Sequence, residues 1–208
     1  MKSEKIINKD FLLIVIGQII SLFGNGILRF VLPLYLLQIT NSPIIFGLVS
    51  AISFLPLILI MPLGGIIVDR VNKRNIMIIL DFLIAFLMTI FFITLNKIDT
   101  SILILITMMI LYSISGLYQP TVQASLPLIL NKDILVKGNS IVSSVSVLSN
   151  LLCPIIAGFL FGIYGIIPLV IISIICFFIS AILEMFIIIP YKKINENKSI
   201  FKNLINIF

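Results

Sequence analysis

Several polar side chains that can bind a solute lie inside stretches that are otherwise apolar. In the first of these stretches, four polar residues recur at spacings of three and four: Gln18, Ser21, Asn25 and Arg29. They therefore form one stripe along a helix. The sequence shows no nucleophile–base pair, metal-ligand cluster or phosphate-binding loop. These patterns predict recognition of a ligand rather than enzymatic catalysis, with no cofactor and no metal site.

A second chemically distinctive segment is the charged run from Gly65 to Arg74, which joins two long apolar stretches. Its cations, Arg70, Lys73 and Arg74, mark it as a cytoplasmic loop if those stretches cross a membrane. Any short cytoplasmic loop collects lysine and arginine. That tendency does not explain Asp69, which stands four residues after Gly65.

The composition indicates an integral membrane protein. Of 208 residues, 61 % are hydrophobic and only 11 % are charged, and a soluble domain cannot bury that much apolar surface. The formal net charge of +6 does not indicate nucleic-acid binding, because the cations lie in short segments between apolar stretches. Cys153 and Cys176 lie inside apolar segments, where we interpret them as small packing residues.

Six apolar segments are long enough to cross a bilayer as helices, since each reaches the ~20 residues that a span requires. They are predicted at Phe11–Gln38, Pro43–Val68, Asn75–Leu95, Ser101–Leu130, Gly138–Ile163 and Ile166–Pro190. Twelve of the fourteen lysines and arginines precede the first span or follow the second, fourth and sixth, so both termini should be cytoplasmic. We expect an all-α bundle over residues 1–190 in the plasma (inner) membrane, and a cytoplasmic tail over residues 191–208.

The fourth and fifth spans carry polar side chains as the first does, including Gln119 in the fourth and Asn150 in the fifth. Because polar faces inside a membrane must meet protein or water, these three spans should line a substrate pathway. Its candidate residues are Gln18, Asn25, Arg29, Gln119 and Asn150. The third and sixth spans are almost wholly apolar across their middles and should face lipid or pack outside.

Arg29 is the only cation within a span. If the first helix starts near Phe11, Arg29 lies ~27 Å along its axis, in the outer leaflet. Its guanidinium either snorkels to the outer surface or faces the pathway with Asn25 one turn below it. In the second interpretation it binds a solute or a carboxylate partner.

The spacing G-x-x-x-D-R-x-x-K-R of the charged segment resembles the loop signature of the major facilitator superfamily, which joins the second and third helices there. Asn72 stands where the family has its second glycine, and asparagine tolerates the left-handed backbone that glycine supplies. The resemblance implies two inverted three-helix repeats. It also implies a gate in which Asp69 caps a helix N-terminus of the other half. Arg74 and Asp81 share a helix face, where we expect them to support that gate or to form a solvated pair of little energetic weight.

Two further stretches resemble exporters of that superfamily. The segment Ser149–Gly158 is weakly similar to a glycine- and proline-containing pattern of proton-coupled drug antiporters, matched by Pro154 and Gly158; an ordinary proline-bent helix is the alternative. The first span looks like the macrolide- and siderophore-exporter branch, many members of which carry an acid at the place of Asn25. Glu184 lies within two turns of the end of the sixth span, so we expect it to reach the cytoplasmic interface and do not assign it as the proton site.

The resemblance implies secondary active, proton-coupled efflux of a small amphipathic or hydrophobic compound across the lipid bilayer. It covers only one half of the family's two-half architecture. The chain is then a transporter half that acts as a homodimer or with a second six-helix half, a truncated fragment without transport of its own, or a non-transporting membrane scaffold that binds a partner. The polar stripes and the gate segment favour transporter ancestry over a scaffold.

Overall fold

A computed structural model describes residues 8–95 and 97–190, without the side chains of residues 63, 66 and 69. The described chain is all-α, and its helices are α1 (Lys9–Thr40), α2 (Pro43–Ser53), α3 (Leu55–Arg70), α4 (Lys73–Thr94), α5 (Thr100–Ile129), α6 (Lys132–Tyr164) and α7 (Ile166–Met185). It contains six helical segments long and apolar enough to cross a membrane, and α2 with the first part of α3 forms one of them. These findings confirm the predicted six-helix membrane bundle. The predicted tail at 191–208 lies outside the described residues.

The second span is two helices that meet at Phe54, rather than the single helix predicted over Pro43–Val68. Pro56 has no backbone N–H, so the carbonyl of Ile52 loses the partner that a regular helix provides. The backbone N–H of Phe54 bonds to the Ala51 carbonyl at 3.2 Å, a shorter-range bond that tightens the turn. The proline therefore interrupts the helix without creating a loop.

The link between α3 and α4 consists of Val71 and Asn72 alone. The prediction of a longer charged loop is wrong in extent, because α3 continues to Arg70 and α4 begins at Lys73. The Asn72 backbone is extended, with φ −63° and ψ 114°, and not left-handed. Its side-chain oxygen accepts a hydrogen bond from the Arg74 N–H at 3.1 Å. Asn72 is thus the N-cap of α4, a position that asparagine favours.

Helix α1 packs most extensively against α7, along a seam of small residues. Ser173 Oγ donates to the Gly24 carbonyl at 3.2 Å, and Ser180 Oγ donates to the Gly17 carbonyl at 3.0 Å. The two pairs are seven residues apart on each helix, and the residue number rises along α7 as it falls along α1. The two helices therefore run antiparallel in a fixed register. A Cβ on Gly24 would lie 3.1 Å from the Cβ of Cys176. Small residues therefore let these helices approach closely while the serine hydroxyls remain satisfied.

The spans differ widely in how much of their surface this chain covers. Within an apolar 18-residue stretch of each span, half of the residues are buried in α1 and 39 % in α4, α5 and α7, but only 11 % in the second span and in α6. Helix α4 packs against α5 and α7, so the third and sixth spans pack against the rest of the bundle. The second and fifth spans form the open flanks of the chain.

Candidate solute cavity and buried carboxyl cluster

A cavity of about 200 Å³ lies between α1, α5 and α6, with Ile84 of α4 at one side. We call it the polar cavity. Its polar lining consists of Ser21, Asn25, Arg29, Ser115, Tyr118, Gln119, Ser146 and Asn150. These residues come from the first, fourth and fifth spans, as the polar stripes predict. Three helices turn their polar faces towards one another because lipid offers those groups no hydrogen bonds.

The Arg29 side chain turns into the polar cavity. Its guanidinium carbon lies 4.0 Å from the centre of the Tyr112 ring, a cation–π contact. The Tyr112 residue is 5 % exposed, so the contact is an interior one. This geometry supports the pathway interpretation of Arg29 over snorkelling. A guanidinium held in this way can bind an anionic or hydrogen-bond-accepting group of a ligand.

Three other predicted pathway residues also line the polar cavity, and two of them are held by neighbouring helices. Asn25 Nδ2 donates to Ser115 Oγ at 3.2 Å, and Gln119 Oε1 accepts from Ser146 Oγ at 3.5 Å. Asn150 is the third. Hydrogen bonds between α1 and α5 and between α5 and α6 thus fix the positions of polar groups that a solute would meet.

Other residues singled out in the sequence join α1 to α6. Gln18 is fully buried and donates to Ser146 Oγ at 3.1 Å, so its amide group connects the helices instead of lining the polar cavity. A Cβ on Gly158 would lie 3.2 Å from the ring of Phe30, which makes Gly158 a packing residue. Helix α6 continues through Pro154 without interruption.

Asp81 and Glu184 are buried together with Ser21 and Tyr118, and we call these four residues the carboxyl cluster. The two acids are 0 % and 1 % exposed. Ser21 Oγ donates to Asp81 Oδ1 at 2.8 Å, and the Tyr118 hydroxyl donates to Glu184 Oε1 at 2.9 Å. Asp81 Oδ2 and Glu184 Oε2 are buried and have no hydrogen-bond partner among the described residues. The expectation that Glu184 reaches the interface is wrong, because its side chain lies between packed helices.

Arg74 does not bond to Asp81, although both lie on α4. Its Nε donates to the Glu184 carbonyl at 3.4 Å, and its Nη2 donates to the Met185 carbonyl. The last carbonyls of a helix have no partner within the helix and carry partial negative charge, so Arg74 caps the C-terminus of α7. This role could not be predicted from the sequence, because a spacing within α4 does not reveal which helix end lies beside it.

The described residues include only part of the predicted gate. The side chain of Asp69 lies outside the described residues, so its role in a gate stays a prediction. A Cβ on Gly65 would meet nothing within 4 Å, so no contact within the described chain requires a glycine there. Arg70 and Lys73 lie on either side of the α3–α4 junction.

Comparison with known proteins identifies relatives of the chain. A sequence profile of the Major Facilitator Superfamily matches residues 14–206. Macrolide efflux protein A from Streptococcus pyogenes, and the protein of the same name from serotype M6 of that species, are each 25 % identical to it over 175 residues. That alignment covers 84 % of this chain and 43 % of each relative.

The solved structures give a similar result for the fold. The crystal structure of a bacterial homologue of the iron transporter ferroportin, in an outward-facing state, superimposes with a TM-score of 0.66 at 18 % identity. The match covers 85 % of this chain and 48 % of that one. The chain thus spans less than half the length of each of these proteins.

Proposed function

The chain belongs to the major facilitator superfamily, and we propose that it forms one half of a transporter that exports a small amphipathic or hydrophobic compound in exchange for protons. The observation that carries this proposal is the polar cavity, where Arg29 lies among side chains of three spans. Membership of a transporter superfamily agrees with the prediction that the chain is not an enzyme.

The size of the polar cavity supports the idea that this chain supplies part of a larger site. It encloses about 200 Å³, whereas pockets for drug-sized ligands usually measure roughly 300–1,000 Å³. A site completed by a second half of similar architecture would reach that range.

The polar stripe of α6 supports a second half independently. Asn139, Ser143 and Asn150 are exposed on α6, and polar side chains within a membrane need protein or water beside them. The matched relatives are about twice as long as this chain. We therefore assign this surface to a second six-helix half, either another copy of this chain or a separate segment of the same fold.

The substrate class and direction are inferred from the curated relatives, which are named for macrolide efflux. A macrolide is therefore the first compound to test. From the distribution of lysine and arginine we infer that both termini lie in the cytoplasm, and we propose the plasma (inner) membrane as the location of the protein.

The mass of the purified particle in detergent, corrected for bound detergent, tests the second half. We expect a stable particle near twice the chain mass of 23.2 kDa, or one in which a second polypeptide is bound. A monomer that recruits nothing would overturn the half-transporter proposal and favour a non-transporting fragment.

Macrolide export from cells that contain the assembled transporter tests the gate. Asp69→Asn should abolish export, because the neutral amide cannot complement a helix N-terminus as a carboxylate does. Asp133→Asn, at an exposed position in the first turn of α6, is the control and should export normally. Export at the wild-type level by Asp69→Asn would remove the gate assignment.

A further inference from the structure

The polar cavity and the carboxyl cluster share two side chains. Ser21 and Tyr118 line the cavity, and their hydroxyls are the same groups that bond to Asp81 and Glu184. Each buried acid is therefore one hydroxyl away from the space in which a solute binds.

The two acids lie beside successive turns of α1. Ser21 holds Asp81, and one turn earlier a Cβ on Gly17 would lie 3.8 Å from Glu184 Oε1. Through these contacts both carboxyls belong to the same buried cluster. Within the part of the chain that the structure describes, neither Asp81 Oδ2 nor Glu184 Oε2 receives a hydrogen bond from a lysine or arginine. Two negative charges here would therefore repel each other without a cation bonded to them.

The other described groups that face Asp81 and Glu184 from the surrounding helices do not bring a positive charge to them. Tyr118 of α5 is the third titratable group of the cluster. Arg74 of α4 donates to backbone carbonyls at the end of α7. Helix α1 presents Gly17 and Ser21, which do not titrate, and its Asp10 accepts a hydrogen bond from a backbone N–H beyond α7 at 2.9 Å.

We propose that one of the two acids, Asp81 or Glu184, carries a proton and that together they form the site through which the transporter exchanges protons with its cavity. Burying two carboxylates in one cluster costs much more than burying one carboxylate and one carboxyl. A proton on either acid removes one of the two buried charges and turns that acid into a hydrogen-bond donor. This inference rests on the proposed function and names its proton-binding site.

The proton has a direct exit from this pair. When it leaves, the carboxyl O–H bond breaks and a carboxylate remains. The proton passes by way of the Ser21 or Tyr118 hydroxyl to water in the polar cavity, where it forms hydronium. A solute that fills the cavity meets the same two hydroxyls, so solute binding and proton binding are coupled, and exchange in opposite directions requires that the solute displace the proton.

Infrared difference spectroscopy of the purified protein during a pH titration tests the proposal. We expect a carbonyl band from a protonated, buried carboxyl that loses intensity as the pH rises. The band should be absent from the double variant Asp81→Asn/Glu184→Gln and retained in the exposed control Asp133→Asn. Separate ¹³C labelling of the aspartate and of the glutamate carboxyls in the wild-type protein should shift the band in one of the two samples, which assigns the protonated acid by residue type if the double variant does not fold.

Three results would overturn the proposal. They are the absence of a titrating carboxyl band in the wild-type protein, a band unchanged in a folded double variant, and a band removed by sodium chloride at constant pH, which indicates a sodium site. Because the titration needs no solute, a failure of macrolide export would leave this result unaffected. Failure of the two proposals can therefore be distinguished.

Discussion

The polar cavity and the carboxyl cluster lie next to each other on α1 but hold charge in different ways. The cavity contains a guanidinium stacked on Tyr112, and its lining includes half-buried and exposed side chains such as Asn150. The cluster contains two acids at most 1 % exposed, each with an unpartnered oxygen. One region suits a solute that enters and leaves, whereas the other suits a proton.

This difference follows from which helices form each region. The cavity lies beside α6, an open flank of the chain, so its final shape depends on what covers that flank. The cluster lies where α1, α4, α5 and α7 meet, and within this chain α1 and α4 each pack against both α5 and α7. A second half should therefore change solute binding in the polar cavity much more than it changes proton binding in the carboxyl cluster.

The substitution Gly24→Leu should have the largest effect, because it separates α1 from α7 and disturbs both regions. The added Cβ meets Cys176 and Phe177, and overpacking of a close interface costs about 1–3 kcal/mol or more. Thermal unfolding in detergent should show a clear loss of stability. Gly162→Leu is the matched control, since a Cβ there meets no atom of the described residues within 4 Å. Equal losses in both variants would show that the seam does not hold the helices together.

The substitution Arg29→Ala should weaken ligand binding in the polar cavity without changing the carboxyl cluster. Loss of one hydrogen bond to a charged group costs about 1.5 kcal/mol, so macrolide affinity should fall on the order of tenfold. Arg29→Lys should show a smaller loss, and Lys97→Ala, an exposed cation outside the cavity, should bind as the wild type does. Arg29→Ala with unchanged affinity and lowered expression would favour a structural role for this residue.

The substitution Asn72→Ala tests the cap that positions α4, the helix that carries Asp81. Loss of an N-cap side chain costs about 1 kcal/mol, and the apparent melting temperature should fall accordingly. Asn72→Ser should recover most of the loss because a serine hydroxyl accepts the same hydrogen bond. No difference between the alanine and serine variants would contradict the capping role.

The substitution Tyr118→Phe should have the smallest effect on stability, and it tests the hydrogen bond to Glu184 made by a side chain that both regions share. A side-chain hydrogen bond inside a membrane protein averages about 0.6 kcal/mol, so unfolding should change little. The infrared carboxyl band should shift, because Glu184 loses its donor. Tyr164→Phe, at an exposed tyrosine, should leave the band in place. An unshifted band in Tyr118→Phe would contradict the assigned hydrogen bond.

The membrane bundle and the helices that line the cavity could be predicted from the sequence, because hydropathy and polar stripes indicate which helix faces meet lipid. The sequence did not predict the partner of Arg74 or the depth of Glu184. Both depend on how the end of α7 packs against α4, a contact between residues more than a hundred positions apart. Glu184 did carry a signal, as the only acid deep in its span, but distance from the span's end was a poor guide to burial.

The most direct test of the link between the two regions is the heat of macrolide binding to the purified transporter, measured in buffers of different ionisation enthalpy. The buffer dependence of this heat reports the protons released on binding. We predict that the wild-type protein releases a proton when the macrolide binds and that Asp81→Asn/Glu184→Gln binds it without release. Macrolide binding to the wild-type protein with no dependence on the buffer would contradict the account.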